Sequence, residues 1–346
     1  MNDERFSRNS ICQDAQNLID NKTKPVGSLG LIESLAVQIA SIQQSLEPSI
    51  DPARIIVFAA DHGVTVEDVS AFPAEVTQQM MANFAAGGAA VCVLGKNAGA
   101  SFEAIDVGVD GDVSELSGIV HAKVARGTAN LVKEAAMTHE QLDAALQVGR
   151  EAIVRAVEQG IRCVGLGEMG IGNTTSAAVL TGLLCDSTPA TVTGRGTGLD
   201  NDQLSEKQVI VASAMSRLAQ MSDDPMECLR EAGGLEIAAI VAAMLEAPAH
   251  KMTVIVDGYI VTAAALIACR LKPAVRDVLV FAHQSAEPGH AIAMQTLHAR
   301  PLLDLDMRLG EGSATALALP LLRGAVAVLT DMASFADAGV STQNNS

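Results

Sequence analysis

Ile55-Ile56-Val57-Phe58-Ala59-Ala60-Asp61-His62-Gly63 is the stretch that decides the fold of this chain. A short, uninterrupted apolar run is typical of a strand that is buried on both faces, as in a parallel sheet. The run ends in two polar residues and a glycine, and α/β proteins carry their sites at such strand exits. We therefore predict a strand that is followed by a functional loop.

The same pattern recurs along the chain. Short apolar runs before Gly-rich turns and Ala-rich helical segments lie at 102–107, 163–164, 191–192, 253–256 and 278–281. This alternation predicts an α/β fold with a mostly parallel sheet and helices on both faces. Motif-like segments follow five of the six runs, at 60–63, 165–175, 194–198, 257–259 and 283–290. Because the carboxyl ends of parallel strands meet at one edge, these segments should converge.

The N-terminal region has a different texture. Residues 10–47 show helical periodicity on both sides of Lys24-Pro25-Val26-Gly27-Ser28-Leu29-Gly30, which predicts two short peripheral helices joined by an ordered loop. A further helical run starts near Ser313, and the polar residues 340–346 are predicted to form a disordered tail.

Composition limits the possible partners and compartments. The 346 residues carry a formal charge of −17, which opposes binding to nucleic acid. Aromatic residues make up only 2%, so Ala, Val, Leu, Ile and Met must fill the core. The six cysteines form no CxxC pair and suit a reducing compartment. No signal peptide is visible and no run is expected to approach the ~18 apolar residues of a membrane helix, so we predict a cytoplasmic protein with no membrane partner.

One carboxylate stands between two glycines in Leu309-Gly310-Glu311-Gly312-Ser313. Glycines on both sides leave Glu311 open to a ligand and allow the backbone unusual conformations. The alternative is an acidic residue that favours the dipole of the following helix. The motif alone leaves both interpretations open.

A second Gly-rich segment, Gly165-Leu166-Gly167-Glu168-Met169-Gly170, matches the G-x-G-x-x-G pattern of dinucleotide sites. Asp186 lies at a suitable distance for a ribose contact, but it precedes the next apparent strand instead of ending it. We favour a strand-to-helix loop that points Glu168 into the site and opens a helix at Asn173 or Thr174. The alternative is an ordinary acidic residue near a helix start.

Two other strand exits carry candidate ligand contacts. The alternate glycines of Gly194-Arg195-Gly196-Thr197-Gly198 could form an anion nest, with Lys207 reaching back, or a simple turn. The stretch 283–290 contains two histidines and a glutamate, but Pro288-Gly289 interrupts the helix that would align the imidazoles, which argues against a metal site. Ser285 is a hydrogen-bond donor to substrate there, and Asp257 is placed for a ribose hydroxyl. The chain has no G-x-S-x-G, so a serine hydrolase is disfavoured.

Seven motifs in sequence order resemble nicotinate-nucleotide:dimethylbenzimidazole phosphoribosyltransferases: 24–30, 60–63, 167–175, 194–198, 257–259, 287–290 and 309–313. The resemblance runs from about residue 24 to 330. It implies transfer of phosphoribose from nicotinate mononucleotide to 5,6-dimethylbenzimidazole, which gives α-ribazole 5′-phosphate and nicotinate for the lower ligand of cobalamin. It also implies a homodimer with a Rossmann-like large domain at 51–310 and a small helical domain built from 1–50 and 311–339.

The resemblance also implies roles for individual residues. Glu311 is the general base, and Glu168 assists electrostatically; inversion at the anomeric carbon follows from a single displacement. The nucleotide's phosphate and ribose are expected on Gly170, Asn173, Thr174, Gly196, Thr197, Gly198, Lys207, Asp257 and Ser285. The flat base is expected among Phe72, Gln79, Met80, Met169 and Leu309, of which Phe72 and Met80 could equally be ordinary core residues.

No cofactor and no metal are expected. Ala314 departs from the family pattern, since Gly usually follows Gly-Glu-Gly-Ser, but Glu311 is intact. Two alternatives stay open: a catalytically silent sensor of nucleotide and azole with the same fold, and an NAD-dependent oxidoreductase that uses Gly165–Gly170.

Overall fold

The computed structural model describes residues 2–219 and 224–341, with side chains from residue 10 onward. Six strands form one sheet: β1 (Ala53–Ala60), β2 (Ser101–Gly108), β3 (Ile119–His121), β4 (Cys163–Met169), β5 (Thr253–Val256) and β6 (Leu279–Phe281). All neighbouring strands are parallel. The predicted α/β fold is confirmed.

The helices lie between and around the strands. Their bounds are α1 Asn2–Asp20, α2 Leu31–Gln43, α3 Val76–Ala85, α4 Ala90–Asn97, α5 His139–Glu158, α6 Asn173–Leu184, α7 Pro189–Val192, α8 Asn201–Leu218, α9 Pro225–Ala232, α10 Leu235–Glu246, α11 Tyr259–Leu271, α12 Pro288–Thr296, α13 Ser313–Thr330 and α14 Phe335–Ala338. Three short 3₁₀ helices lie at Gly63–Glu67, Ala247–His250 and Pro273–Val278.

The strand order creates a crevice at a defined place. The order is β3-β2-β1-β4-β5-β6, so the chain reverses its direction of growth between β1 and β4. This is the 3-2-1-4-5-6 order of the Rossmann fold, whose ligands bind at the switch point beyond the carboxyl ends of the strands. Phe58 of β1 pairs with Glu168 of β4, which brings Glu168 to that edge.

The central strands are buried on both faces because their side chains alternate between two helical layers. Ile56 and Phe58 pack in a core with α5, α6, α10 and α11. Ile55 and Val57 pack on the other face with α3, α4 and the start of α13. This double burial explains why the strand was an uninterrupted apolar run in the sequence.

One predicted strand was wrong. Thr191 and Val192 lie in the short helix α7, which begins at Pro189. The proline ring fixes φ near the helical value and suits the first helical position, so it overrides the β-branched pair that follows it. The Gly-rich segment 194–198 therefore follows a helix instead of a strand.

The helices from the two chain ends pack together. Ala15 of α1, Ile39 of α2 and Leu322 of α13 share a core with the strand residues Cys163 and Ile255. The two helices predicted around the loop at 24–30 are confirmed, and the shared core joins them to the sheet. The division into a large and a small domain stays a prediction. Most of the predicted tail, from residue 342 onward, lies outside the described residues.

One described helix, α13, is long and apolar enough to cross a membrane, with a mean hydropathy of 1.5 over 18 residues. The expectation that no run approaches this length was therefore wrong. Half of the helix is buried inside the protein, where Leu319 and Leu322 contribute to the core shared with α1 and α2. Its apolar composition is thus explained by packing within the fold.

Candidate active site

Two of the predicted strand exits and the Glu311 loop meet at the switch point. The amide of Gly312 donates to Asp257 Oδ2, beyond the end of β5, over 3.0 Å. A Cβ atom placed on Gly310 would lie 2.3 Å from Glu168 Oε1, in β4. The loop that carries Glu311 therefore touches the ends of both strands, and three carboxylates share one buried region.

Glu311 has an unusual backbone. Gly310, Glu311 and Gly312 have φ values of +85°, +62° and +80°, so three consecutive residues are left-handed and only one of them has a side chain. Glu311 is only 6% exposed, and its Oε2 atom has no hydrogen-bond partner among the described residues. Burial raises the pKa of Glu311 above its ordinary value. The site thus holds a carboxylate that is free to accept a proton from a ligand.

The glycines of the G-x-G-x-x-G pattern are required by packing. A Cβ atom on Gly165 would lie 2.5 Å from Thr315 Oγ1, and one on Gly167 would lie 2.4 Å from the amide nitrogen of Gly312. One on Gly170 would lie 2.3 Å from the carbonyl oxygen of Ala60. Gly165 and Gly167 lie inside β4, not at its turn, so these glycines allow the loop and α13 to approach the sheet.

Glu168 is held by the helix that follows it. Asn173 Nδ2 donates a short hydrogen bond to Glu168 Oε2. Burial, and then the negative charge of Asp257, raise the pKa of Glu168 to about 8. The predicted helix start at Asn173 is confirmed, but the N-cap residue of α6 is Gly172, which is left-handed with a φ of +96°. Asn173 is thereby free to bond Glu168.

Asp257 is buried, with 1% of the residue exposed, and both of its carboxylate oxygens are used. Oδ2 accepts from the amide of Gly312, and Oδ1 accepts from the amide of Ala314 over 2.8 Å. Burial raises the pKa of Asp257 to about 7, although these amides oppose the rise. The ribose contact predicted for Asp257 stays a prediction, but its described partners are backbone amides.

Three residues predicted for the phosphate, Lys207, Thr174 and Gly196, lie together. Lys207, on α8, is 1% exposed, and its Nζ atom donates to Thr174 Oγ1 over 2.8 Å. A Cβ atom on Gly196 would lie 2.9 Å from Thr174 Oγ1 and 3.1 Å from Lys207 Nζ. Burial lowers the pKa of Lys207 to about 8. A buried cation next to a left-handed glycine suits an anion.

Two amides of the predicted nest already have partners. The Gly196 amide donates to Glu287 Oε1 over 2.8 Å, and the Gly198 amide donates to the Arg195 carbonyl. Glu287 Oε2 is buried and has no hydrogen-bond partner among the described residues. A phosphate at this nest would take the Gly196 amide from Glu287, which sequence reasoning had not assigned a role.

A hydrogen-bond relay supports Ser285. The Ser285 amide donates to His290 Nδ1 over 2.8 Å, so His290 is protonated on Nε2 and donates to Thr262 Oγ1 at 3.0 Å. Thr262 in turn donates to the Gly258 carbonyl over 2.8 Å. Burial lowers the pKa of His290 to about 3, which keeps the imidazole neutral. Among the described residues, no three His, Cys, Asp or Glu side chains are placed so that they could hold a metal ion together.

A comparison with known proteins identifies the family. A family model described as phosphoribosyltransferase matches residues 6–340. The nicotinate-nucleotide–dimethylbenzimidazole phosphoribosyltransferase of Aromatoleum aromaticum is 49% identical over 94% of both chains. The enzyme of the same name from Pseudomonas putida is 47% identical over 92% of this chain and 91% of its own. The chain belongs to the nicotinate-nucleotide–dimethylbenzimidazole phosphoribosyltransferase family.

A solved structure agrees with this phosphoribosyltransferase over almost its whole length. The crystal structure of CobT from Thermus thermophilus superimposes with a TM-score of 0.93 at 43% identity, and the match covers 96% of this chain and 100% of that chain. The family resemblance carried by the seven motifs is confirmed.

The residues predicted for the flat base fall into two groups in this phosphoribosyltransferase. Phe72 and Leu309 are 52% and 55% exposed, which is unusual for large apolar side chains. Met169 is buried and Met80 packs beside it in the core formed with α3 and α4. Gln79 is exposed. The two methionines thus have a packing role, and base binding by any of the five stays a prediction.

Sequence reasoning missed a buried triad beside Gly170, where a Cβ atom on that glycine would lie 3.3 Å from the His62 ring. His62 bonds Glu236 Oε1 over 2.7 Å through Nε2, and its Nδ1 lies 3.1 Å from Ser176 Oγ. His62 and Glu236 are fully buried at their side chains. The signal in the sequence was Glu236 itself, a single acidic residue at the start of a helix that otherwise consists of Ala, Ile, Val, Leu and Met until Glu246.

Proposed function

We propose that this chain transfers the 5-phosphoribosyl group of nicotinate mononucleotide to 5,6-dimethylbenzimidazole, which gives α-ribazole 5′-phosphate and nicotinate. The observation that carries the proposal is the buried, left-handed Glu311, whose Oε2 atom is unpartnered among the described residues. Full-length similarity to enzymes with this name supports it.

The reaction makes one bond and breaks one. A benzimidazole nitrogen attacks the anomeric carbon, and the bond from that carbon to the pyridinium nitrogen breaks. The pyridine ring leaves as a neutral group, so the leaving side needs no acid. A single displacement inverts the anomeric carbon from β to α.

Glu311 is the general base of this proposal. As the attacking nitrogen forms its bond, positive charge grows on the azole and the second ring nitrogen becomes acidic. Glu311 accepts that proton. A positioned base contributes a factor of about 10²–10⁴ in rate, and it works best when its pKa is near the working pH. Burial moves the pKa of Glu311 in that direction.

Glu168 acts as an electrostatic partner of the positive charge. Because its pKa is about 8 in the free protein, Glu168 holds a proton at pH 7. A pyridinium ring nearby favours the ionised carboxylate and lowers this pKa. Glu168 therefore becomes charged when the pyridinium ring of the nucleotide binds beside it, and it then stabilises the oxocarbenium-like sugar.

The nucleotide phosphate lies near Lys207, Thr174 and Gly196 in this proposal, on the buried cation and the left-handed glycine. Ser285 supports it from the adjacent loop. The azole lies in a slot that includes Leu309, next to the loop of Glu311. A homodimer in the cytoplasm, with a small domain from both chain ends, is part of the same proposal.

The test is a turnover assay with Glu311→Gln. The purified protein is incubated with nicotinate mononucleotide and 5,6-dimethylbenzimidazole, and nicotinate release and the mass of the nucleotide product are followed. We expect α-ribazole 5′-phosphate from the wild type, and a kcat that is lower by about 10²–10⁴ in the variant with unchanged nucleotide affinity. Glu158→Gln is the matched control, because Glu158 is exposed and ends α5, just before the amino end of β4.

Three outcomes contradict the proposal in different ways. Binding of both compounds without product would favour a silent sensor. Calorimetric binding of NAD(H), with reduction of a substrate, would favour the oxidoreductase. Product formation at the wild-type rate by Glu311→Gln would keep the reaction but remove Glu311 as its base.

A further inference from the structure

We propose that Asp257 is a positioning residue that holds Glu311 in its left-handed conformation, and that it does not bind the ribose. The proposal rests on the assignment of Glu311 as the base. It begins with a structural problem, which is that a residue with a side chain lies at a φ of +62° between two other left-handed residues. Such a conformation persists only where the surroundings determine it.

Asp257 supplies the missing constraint. Helix α13 starts at Ser313, and its N-cap residue is Gly312, which has no side chain to accept a hydrogen bond from the first turn. The Asp257 carboxylate takes that place from another part of the chain, because Oδ2 accepts from the Gly312 amide and Oδ1 from the Ala314 amide. A carboxylate is also favourable at a helix N-terminus.

The loop is confined on its other side by the sheet. Gly167 of β4 is so close to Gly312 that a Cβ atom there would lie 2.4 Å from the Gly312 nitrogen. Thr315 Oγ1 donates to the Gly312 carbonyl over 2.6 Å. Gly312 is thus fixed by Asp257, by Thr315 and by contact with β4, and Glu311 is the residue immediately before it.

The geometry leaves Asp257 little capacity for a ligand. The residue is 1% exposed, and each carboxylate oxygen already accepts a backbone amide. Each oxygen keeps a second lone pair, but the 1% exposure of Asp257 leaves almost no surface through which a ribose hydroxyl could reach it. Asp257 therefore acts on the reaction through Glu311.

The decisive experiment is a double-mutant cycle with Asp257→Asn and Glu311→Gln. The asparagine has the same shape, but its NH₂ group faces an amide N–H, so one hydrogen bond is lost. We expect Asp257→Asn to lower kcat by about 10–100-fold, since a misplacement of about 1 Å can cost about 10²-fold. The dissociation constant of nicotinate mononucleotide, measured by calorimetry, should stay within about twofold. In the Glu311→Gln background the same change should lower kcat by less than about twofold.

The control is Asp143→Asn, the same change at an exposed position of α5. A higher KM for the nucleotide with an unchanged kcat would assign Asp257 to the ribose and overturn the proposal. So would multiplicative losses in the double variant, because they would mean that Asp257 acts independently of Glu311.

A structural measurement separates this proposal from the proposed function. If the wild type forms no product, or if Asp257→Asn does not fold, amide hydrogen exchange of the wild-type protein decides. We expect the Gly312 and Ala314 amides to exchange at least about 100-fold more slowly than free amides. Exchange of both at the free rate would overturn the proposal whatever reaction the protein catalyses.

Discussion

Replacing Gly167 by Ala tests whether the glycines of β4 exist to admit the Glu311 loop. The added Cβ atom would lie 2.4 Å from the Gly312 nitrogen and 2.6 Å from the Glu311 carbonyl carbon, and ordinary contacts begin at 3.4 Å. The loop must therefore retreat by about 1.0 Å (3.4 minus 2.4), because both atoms belong to backbone that cannot rotate away. An overpacked core of this kind costs about 1–3 kcal/mol.

Two measurements follow from this displacement. We expect kcat for α-ribazole 5′-phosphate formation to fall by about 10²-fold, since the proposed base moves by about 1 Å. The Tm should fall by about 2–12 °C, because each kcal/mol of lost stability lowers the Tm of a large domain by about 2–4 °C. Gly324→Ala is the matched control, because nothing lies within 4 Å of its added Cβ atom in α13 and the change should slightly raise Tm. If Gly167→Ala had the Tm and kcat of the wild type, the packing argument for β4 would be refuted.

Three further predictions use the pKa shifts and the relay. The pKa of Glu311 is raised above 4.5 and its ionised form is the base, so the kcat of the wild type should already fall with decreasing pH at values above 4.5. The pH profile of Glu311→Gln should lack this fall. Glu168 binds a proton in the folded protein with a pKa of about 8, against 4.5 for an unperturbed glutamate. The free energy of unfolding should therefore fall by up to about 5 kcal/mol as the pH rises between these values, and urea titrations of Glu168→Gln should show a smaller fall. His290→Asn keeps an acceptor for the Ser285 amide and should preserve the KM for nicotinate mononucleotide in steady-state assays. His290→Ala lacks this acceptor and should raise the KM by about tenfold. Equal KM values for the two variants would show that the relay has no part in nucleotide binding.

The sheet could be predicted from sequence where a strand is buried on both faces. β5 and β6 are continuous apolar runs, β1 is one from Ile55 onward, and all three were found from that pattern. Of β4, only the first pair, Cys163-Val164, was found in this way, because two glycines and Glu168 interrupt the rest. The edge strand β3 was missed, since it has three residues and His121 is exposed. The strand predicted at 191–192, which is a helix in the structure, shows that the pattern also predicts strands that do not form. Two β-branched residues do not predict a strand when a proline just before them favours the start of a helix.

The position of the site was predictable for a different reason. Polar residues that follow buried strands must lie at the carboxyl edge of the sheet, and Asp257 was placed there correctly because it directly follows β5. Glu168 lies at the same edge, but inside the last residues of β4 and not in the predicted loop that starts at Gly165. Their hydrogen-bond partners were not predictable in this way. Asp257 bonds the amide of Ala314, which lies 57 residues away along the chain. Only the folded chain shows that a strand exit caps a distant helix.

The same argument explains why the G-x-G-x-x-G pattern misleads. In the sequence, an apolar pair precedes the motif and a helical segment follows it, as in a dinucleotide site, although Gly165 and Gly167 lie inside β4. The structural demand on Gly165 and Gly167 comes from Thr315 and Gly312, which arrive at β4 from the far end of the sequence. The glycines of the pattern are therefore required by close packing, and they affect the site because they let the Glu311 loop approach β4.

The charges of the site favour a cationic ligand. Glu168, Asp257 and Glu311 are buried together, and the pKa of each is raised because burial disfavours the ionised form. The nearby charges of Asp257 and Glu311 add to this effect at Glu168. A pyridinium ring would offset both influences, since it brings an opposite charge and favours ionisation. By linkage, binding of such a cation must release protons near pH 7, and a calorimetric proton count near zero would contradict this account of the site.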